Sequence, residues 1–207
     1  VGVALVGLVL LGGDLGTTLV LLGVLAAMLW TSGISARLFG VALLAASVLA
    51  GVMVLVRRSR MERIDSWLNC TEVAQCWQTS HSQFALADGG LGGLGLGASR
   101  EKWGWLPERH NDFIFAIIGE ELGIGGTLTI LVLIYLIAFA CHRIIMQSDD
   151  LFIRIATAGV MGWFVVQSVV NIGAVVGLLP VIGVPLPLVS DGGSALVTML
   201  FALGMLA

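Results

Sequence analysis

Residues 101–123, EKWGWLPERHNDFIFAIIGEELG, hold Glu101, Lys102, Glu108, Arg109, Asp112, Glu120 and Glu121, seven of the chain's 23 charged residues (10 basic, 13 acidic). Carboxylates crowded at the mouth of an apolar run suit proton abstraction or metal ligation. Glu108 and Asp112 are four apart and share a face if the segment is helical. Read more simply, Pro107 and Glu108 begin a helix, Asn111 is an alternative cap and Arg109 pairs with an acid. The residues alone leave these two readings level. Glu120 and Glu121 fall about 12 Å further along such a helix. At about 80° from Asp112, Glu120 lines the same cavity, whereas Glu121, nearly opposite, pairs within the bundle. Just upstream, GGLGGLGLG (89–97) has six glycines in nine residues. That is either a pliant loop or a backbone cradle for phosphate, with Arg100 and Lys102 supplying charge.

Other polar residues have plainer readings. Asp14 in GGDLGTT caps a helix starting at Leu15. Asp191 in VSDGGS sits in a Gly/Pro break, capping or functional. Gln167 and Asn171, four apart in an apolar run, hold helices together. Cys70 and Cys76 have no partners at zinc spacing. They form a disulfide if their segment faces an oxidising compartment. His81, His110 and His142 do not cluster in sequence.

The elements that position these residues are membrane helices. The chain of 207 residues is 58% hydrophobic and 11% charged, with mean hydropathy +1.04; soluble domains carry about 25% charged residues. Apolar stretches at 15–30, 37–56, 113–141 and 155–178, with partial runs at 1–11 and 195–207, predict five to six helices in an all-α transmembrane bundle, since an open sheet cannot sit in lipid. The 113–141 helix is expected to break near Gly123, Gly125 and Gly126. Residues 179–193, LPVIGVPLPLVSDGG, read as a re-entrant break. Residues 1–11 lack a basic leader and read as the remainder of an incomplete helix. The chain reads as one membrane domain, 1–207, with a long polar segment, 57–111. A net charge of −3 without a basic run excludes nucleic acid as a partner. Seven basic residues in 57–111 against three elsewhere would put that segment in the cytoplasm.

REKWGWLPERHNDFIFAIIGEELGIGG, together with DLGTT (14–18), RRSRMERI (57–64), GGLGGLGLGASREKW (89–103), QSVVNIGAVVGLLPVIGVPLPLVSDGGS (167–194) and ALGML (202–206), resembles the SEDS family (shape, elongation, division, sporulation) of membrane-embedded peptidoglycan polymerases. IIGEELG and GASREKWGWLPE look closer to its division-type members than to its elongation-type ones. The chain departs from the family's usual residues at Gly12–Gly13, at 77–82, at Asn111 (usually Thr) and at Asp191 (usually Tyr).

The resemblance implies a roughly ten-helix fold, of which this chain is the C-terminal half or somewhat more. It puts 57–111 outside the cytoplasm, against the basic count. It implies polymerisation of lipid II into septal glycan strands in the bacterial cytoplasmic membrane, alongside a class B penicillin-binding protein and other division proteins. Asp112 falls on the catalytic acid of the family's motif, as the base for the acceptor sugar hydroxyl. Glu108 and His110 match the same motif; with Gln78 and Glu120 they are the expected substrate-binding residues, joined by Arg100, Lys102 and Arg109, whose positive charge suits the pyrophosphate. No cofactor is certain; a divalent cation, Mg2+ or Mn2+, would be held by Asp112. A flippase for the same lipid is the competing class, since it too uses intramembrane acids and broken helices.

Overall fold

A backbone in lipid must satisfy its own polar groups, and the apolar runs do so as helices. The computed structural model describes residues 2–56, 58–68 and 73–206; Arg57, Cys70 and Glu72 lie outside them. The described residues form eight helices and no strand: α1 (Gly2–Gly12), α2 (Leu15–Thr31), α3 (Ala36–Val56), α4 (Arg58–Leu68), α5 (Val73–Gly89), α6 (Ile114–Gln147), α7 (Leu151–Val175) and α8 (Gly193–Gly204). Both α6 and α7 are long and apolar enough to cross a membrane.

The chain divides into two compact units. The first comprises Val1–Met61, Ile137–Val166 and Phe201–Ala207. In it α2 packs against α1 and α3. Asp14 caps α2 as expected: its carboxylate accepts from Thr17 N at 3.0 Å and Thr17 Oγ1 at 2.5 Å. Small residues bring α2 and α7 close together. A Cβ on Gly162 would lie 2.7 Å from the Ala27 Cβ, so the backbones meet where larger side chains would hold them apart. The polar residues 142–154, between two apolar stretches, are mostly helical. Only Ser148–Asp150 separate α6 from α7, and Asp150 Oδ1 caps the new helix by accepting from Phe152 N at 2.7 Å.

The second unit, Glu62–Leu136 and Gln167–Leu200, contains the charged stretch. Here the expected long loop is largely helical, as α4 and α5. Sequence pattern missed them because their stability comes from tertiary contacts. Ala85 is fully buried in the apolar cluster of Phe113, Phe115, Ala116 and Val175. Three side chains of α4 and α5 also meet the carbonyls left open after α7: Ser82 Oγ bonds Val175 O (2.9 Å), Gln83 Nε2 bonds Val176 O (3.2 Å) and Trp67 Nε1 bonds Gly177 O (2.9 Å). Cys76 is buried and disulfide-bonded, and Cys141 is a free thiol.

The segment between α7 and α8 is irregular, with turns at both ends, as a Pro/Gly-rich break should be. Gln167 and Asn171, expected to join helices, instead hold this segment. Gln167 Nε2 donates to Pro185 O at 2.9 Å, and Asn171 Nδ2 donates to Val184 O at 2.8 Å and Asp112 O at 2.7 Å. Asn171 is buried at 2% exposure, so removing its amide strands two acceptors away from water. We expect Asn171→Leu to destabilise the protein by about 1–3 kcal/mol per stranded acceptor. Thermal unfolding in detergent checks this, and an unchanged midpoint would refute the anchoring role.

Candidate functional site

The residues before α6 do not form the helix that Pro107 suggested. Residues 101–113 are a series of turns, with Glu108 in the left-handed region at φ 53°. That backbone position lets Glu108 O accept from Asn111 N (3.0 Å) and Phe113 N (3.4 Å), which closes the turn tightly. Asp112 therefore precedes α6, and the helical spacing expected between it and Glu120 does not apply.

Three successive carbonyls of this turn are bonded by residues far along the chain. His110 O accepts from Asp191 N (2.9 Å), Asn111 O from Ser190 Oγ (2.6 Å) and Asp112 O from Asn171 Nδ2 (2.7 Å). Leu186 N in turn donates to Ser190 Oγ at 2.7 Å. Phe113, 1% exposed, plugs the apolar cluster directly after Asp112. The Asp112 backbone is thus fixed from one side by polar bonds and from the other by packing.

Asp112 lines a cavity of about 370 Å³ with Arg63 and Trp67 of α4, Gln78, Thr79 and Gln83 of α5, and Gly177, Val181 and Gly183. Arg63 is steered by a 3.4 Å bond from Nη1 to Val181 O. Burial, and then the negative charge of Glu108, hold the Asp112 carboxyl above the ordinary carboxylate range; Arg63 draws it back. A cation facing a carboxylate of raised basicity in one polar cavity can bind an anionic group and accept a proton beside it.

Of the residues expected at the site, Gln78 joins Asp112 in the cavity lining and the others do not. Glu120 is fully buried and turned to residues 99–101. Its carboxylate accepts from Ser99 Oγ (2.5 Å), Arg100 N (2.6 Å) and Glu101 N (3.4 Å). The Arg100 side chain is exposed. Lys102 pairs with Glu121 at 3.3 Å, so Glu121 has its expected intrahelix-bundle role and Lys102 is its partner. Glu108 accepts from Asn111 Nδ2 at 2.8 Å, and Arg109 Nε donates to His110 Nε2 at 3.2 Å. Glu101 meets His81 Nδ1 at 2.6 Å, and the His81 ring lies against Trp77 and Trp105.

Two amides of the Gly-rich segment, those of Leu94 and Gly95, are directed to α6. Gly123 takes φ 65°, ψ −155° and breaks α6 where expected. Leu94 N and Gly95 N then donate to Glu120 O (2.9 Å) and Glu121 O (3.0 Å), while Ile124 N donates to Gly90 O (3.0 Å). Gly93 sits so close that a Cβ there would collide with the Glu121 carbonyl.

Arg63, Thr79 and Gln83 went unnoticed in the sequence. Their signal was there: Arg63 and Trp67, and Thr79 and Gln83, are i,i+4 pairs, visible as site faces once 58–68 and 73–89 are read as helices.

The sequence model of the FtsW, RodA and SpoVE family, described as a cell cycle protein, matches residues 1–207. The chain is 42% identical over 196 residues to a probable peptidoglycan glycosyltransferase FtsW of Mycobacterium tuberculosis, covering 94% of this chain and 37% of that protein. It is 42% identical over 198 residues to the stage V sporulation protein E of Bacillus subtilis, covering 93% of this chain and 53% of that protein. The chain thus spans about half or less of these relatives. Among solved structures it is similar to a chain described in the structural coordination of polymerization and crosslinking by a peptidoglycan synthase complex (TM-score 0.78, 29% identity, 99% of this chain and 58% of that one). It is also similar to a mutant of the rod shape determining protein RodA of Thermus thermophilus (TM-score 0.66, 27% identity, 99% and 52%).

A carboxyl held above its ordinary range stabilises the fold less when ionised than when neutral. This penalty is present above its folded-state pKa and vanishes below the ordinary value of 3.8. We expect Asp112→Asn to raise the melting temperature at neutral pH, with the gain shrinking as pH falls toward 4. Melting curves of parent and variant across that pH range test the sign; a gain that grows on acidification would contradict it.

Proposed function

The chain belongs to the FtsW, RodA and SpoVE family of cell cycle proteins, and on that premise we propose that its protein is a peptidoglycan glycosyltransferase. The substrate is lipid II, a disaccharide–peptide on an undecaprenyl diphosphate. The 4-hydroxyl of an acceptor sugar attacks the anomeric carbon of a donor. The hydroxyl proton passes to the Asp112 carboxylate, the new glycosidic bond forms, and the bond to undecaprenyl diphosphate breaks. A diphosphate leaves readily without a general acid, unlike the two-carboxylate arrangement of glycoside hydrolysis. What the reaction needs is a base and positive charge near the leaving group.

The observation that carries this reading is the pairing of Asp112 and Arg63 across one polar cavity. Arg63 takes the diphosphate side, in place of Arg100, Lys102 and Arg109, which lie off the cavity lining. Gln78, Thr79 and Gln83 offer hydrogen bonds to sugar hydroxyls. The names of the relatives support glycosyl transfer, and the peptidoglycan synthase complex supports a class B penicillin-binding protein as partner.

Among the described residues no three His, Cys, Asp or Glu side chains gather to hold a metal. A divalent cation at this site would therefore rest on Asp112 and on diphosphate oxygens, the manner in which Mg2+ is commonly held with substrate phosphates. It would supply further positive charge to the leaving group.

Asp112→Asn preserves size and removes the base. In the full-length protein we expect normal insertion and a fall in lipid II polymerisation by roughly 10²–10⁴-fold, the usual contribution of a general base. Polymerisation at the parent rate would sink the assignment; lipid scrambling without any polymer from the parent protein would favour a flippase.

The reading also places 57–111 on the extracytoplasmic face of the bacterial cytoplasmic membrane, at the division septum. A Cys at the exposed Arg100 position, in a Cys141→Ser background, should react with an impermeant thiol reagent in intact cells. Reaction only after lysis would reverse the topology.

A further inference from the structure

The Gly-rich segment sets Gly89 and Gly93 against α6 and leaves its large apolar residues exposed, the reverse of a segment built for water. Gly89 and Gly93 press on the α6 backbone, where any Cβ would collide with the carbonyls of Gly119 and Glu121. Leu91 and Leu96 project at 83% and 81% exposure, with Leu94 partly exposed between them. Trp103, a few residues further on, is 70% exposed as well, and Lys102 Nζ lies 5.7 Å from its ring centroid. An indole beside an ammonium group is the pairing that suits the level of lipid headgroups.

The patch does not stand apart from the membrane surface. The Gly90 carbonyl receives Ile124 N, so Leu91 adjoins Ile124, which is 54% exposed. From there the exposed face of α6 continues through Leu128, Leu131, Val132 and Tyr135. This helix carries an 18-residue window of mean hydropathy 2.4, of which 11% is buried inside the protein. Such a face has lipid as its solvent.

We propose that Leu91, Leu94, Leu96 and Trp103 are a membrane-contacting surface, seated among the acyl chains just below the headgroups and continuous with the lipid-facing side of α6. The segment is held at that depth by its backbone bonds to residues 120, 121 and 124, not by its own side chains. This needs only the membrane location of the chain and is independent of the reaction assigned to Asp112.

The test uses the full-length protein in phosphatidylethanolamine–phosphatidylglycerol vesicles, with a bimane label at Leu96→Cys in a Cys141→Ser background. A second variant, Leu91→Cys, guards against a local effect of either substitution. Lipids carrying a doxyl group near the headgroup should quench most of the bimane emission at both positions. Lipids with the doxyl group deep in the chain should quench it less, and aqueous iodide should quench it little. Iodide quenching without doxyl quenching would show a water-facing loop and overturn the proposal. Protection from both quenchers would show a surface covered by protein and overturn it equally.

Discussion

Everything in the second unit follows from the cost of a peptide group without a partner. Where a helix breaks inside or beside a membrane, water is not there to satisfy the freed N–H and C=O groups, and each orphan costs several kcal/mol. The chain breaks its helices in this unit at Gly123 and after Val175, and each break recruits another segment to close it. Leu94 and Gly95 donate at the first break, and Ser82, Gln83 and Trp67 at the second. The tertiary structure of the polar segment is in this sense a set of answers to helix ends. The cavity lies among elements already joined for that reason.

The same accounting sorts the charges. Glu120 has no access to solvent, and its carboxyl oxygens are satisfied by a hydroxyl and two backbone amides that converge on them. Glu101 is matched to His81 and Glu121 to Lys102. Asp112 differs in that its backbone is bonded while its carboxyl lines open volume. Its neighbours do not neutralise it evenly: burial and Glu108 act against ionisation and Arg63 acts for it. Six of the seven charges in 101–123 serve binding within the protein or lie off the cavity, and one is left to face a substrate-sized space.

The apolar helices, the cap at Asp14 and the break at Gly123 could all be read from the sequence, because each depends on residues close together in the chain. The resemblance pointed to Asp112 and to Gln78, and both line the cavity. What pattern could not give was the fold of 57–111. The helices α4 and α5 are held by partners far along the chain, α4 by Trp67 bonding Gly177 and α5 by Ala85 and Ser82 meeting Val175. With those helices unread, Arg63 remained one arginine among several. Glu120 was assigned to the cavity for a related reason: the geometry assumed an unbroken helix from Pro107, and Glu108 in a left-handed turn ends that assumption.

The bonds from residues 171, 190 and 191 to the carbonyls of 110–112 also carry a schedule. Asp191 is 79 positions after Asp112. At roughly 5–20 residues per second of synthesis, about 4–16 s separate the emergence of the acid from that of its last backbone partner. Throughout that interval α6 and α7 are entering the bilayer while the turn ahead of them lacks its restraints. The carboxylate therefore comes into register late, when the chain has returned from α7 through its Pro-rich crossing. An arrested or prematurely ended nascent chain would have the acid and its entry helix yet hold no ordered cavity.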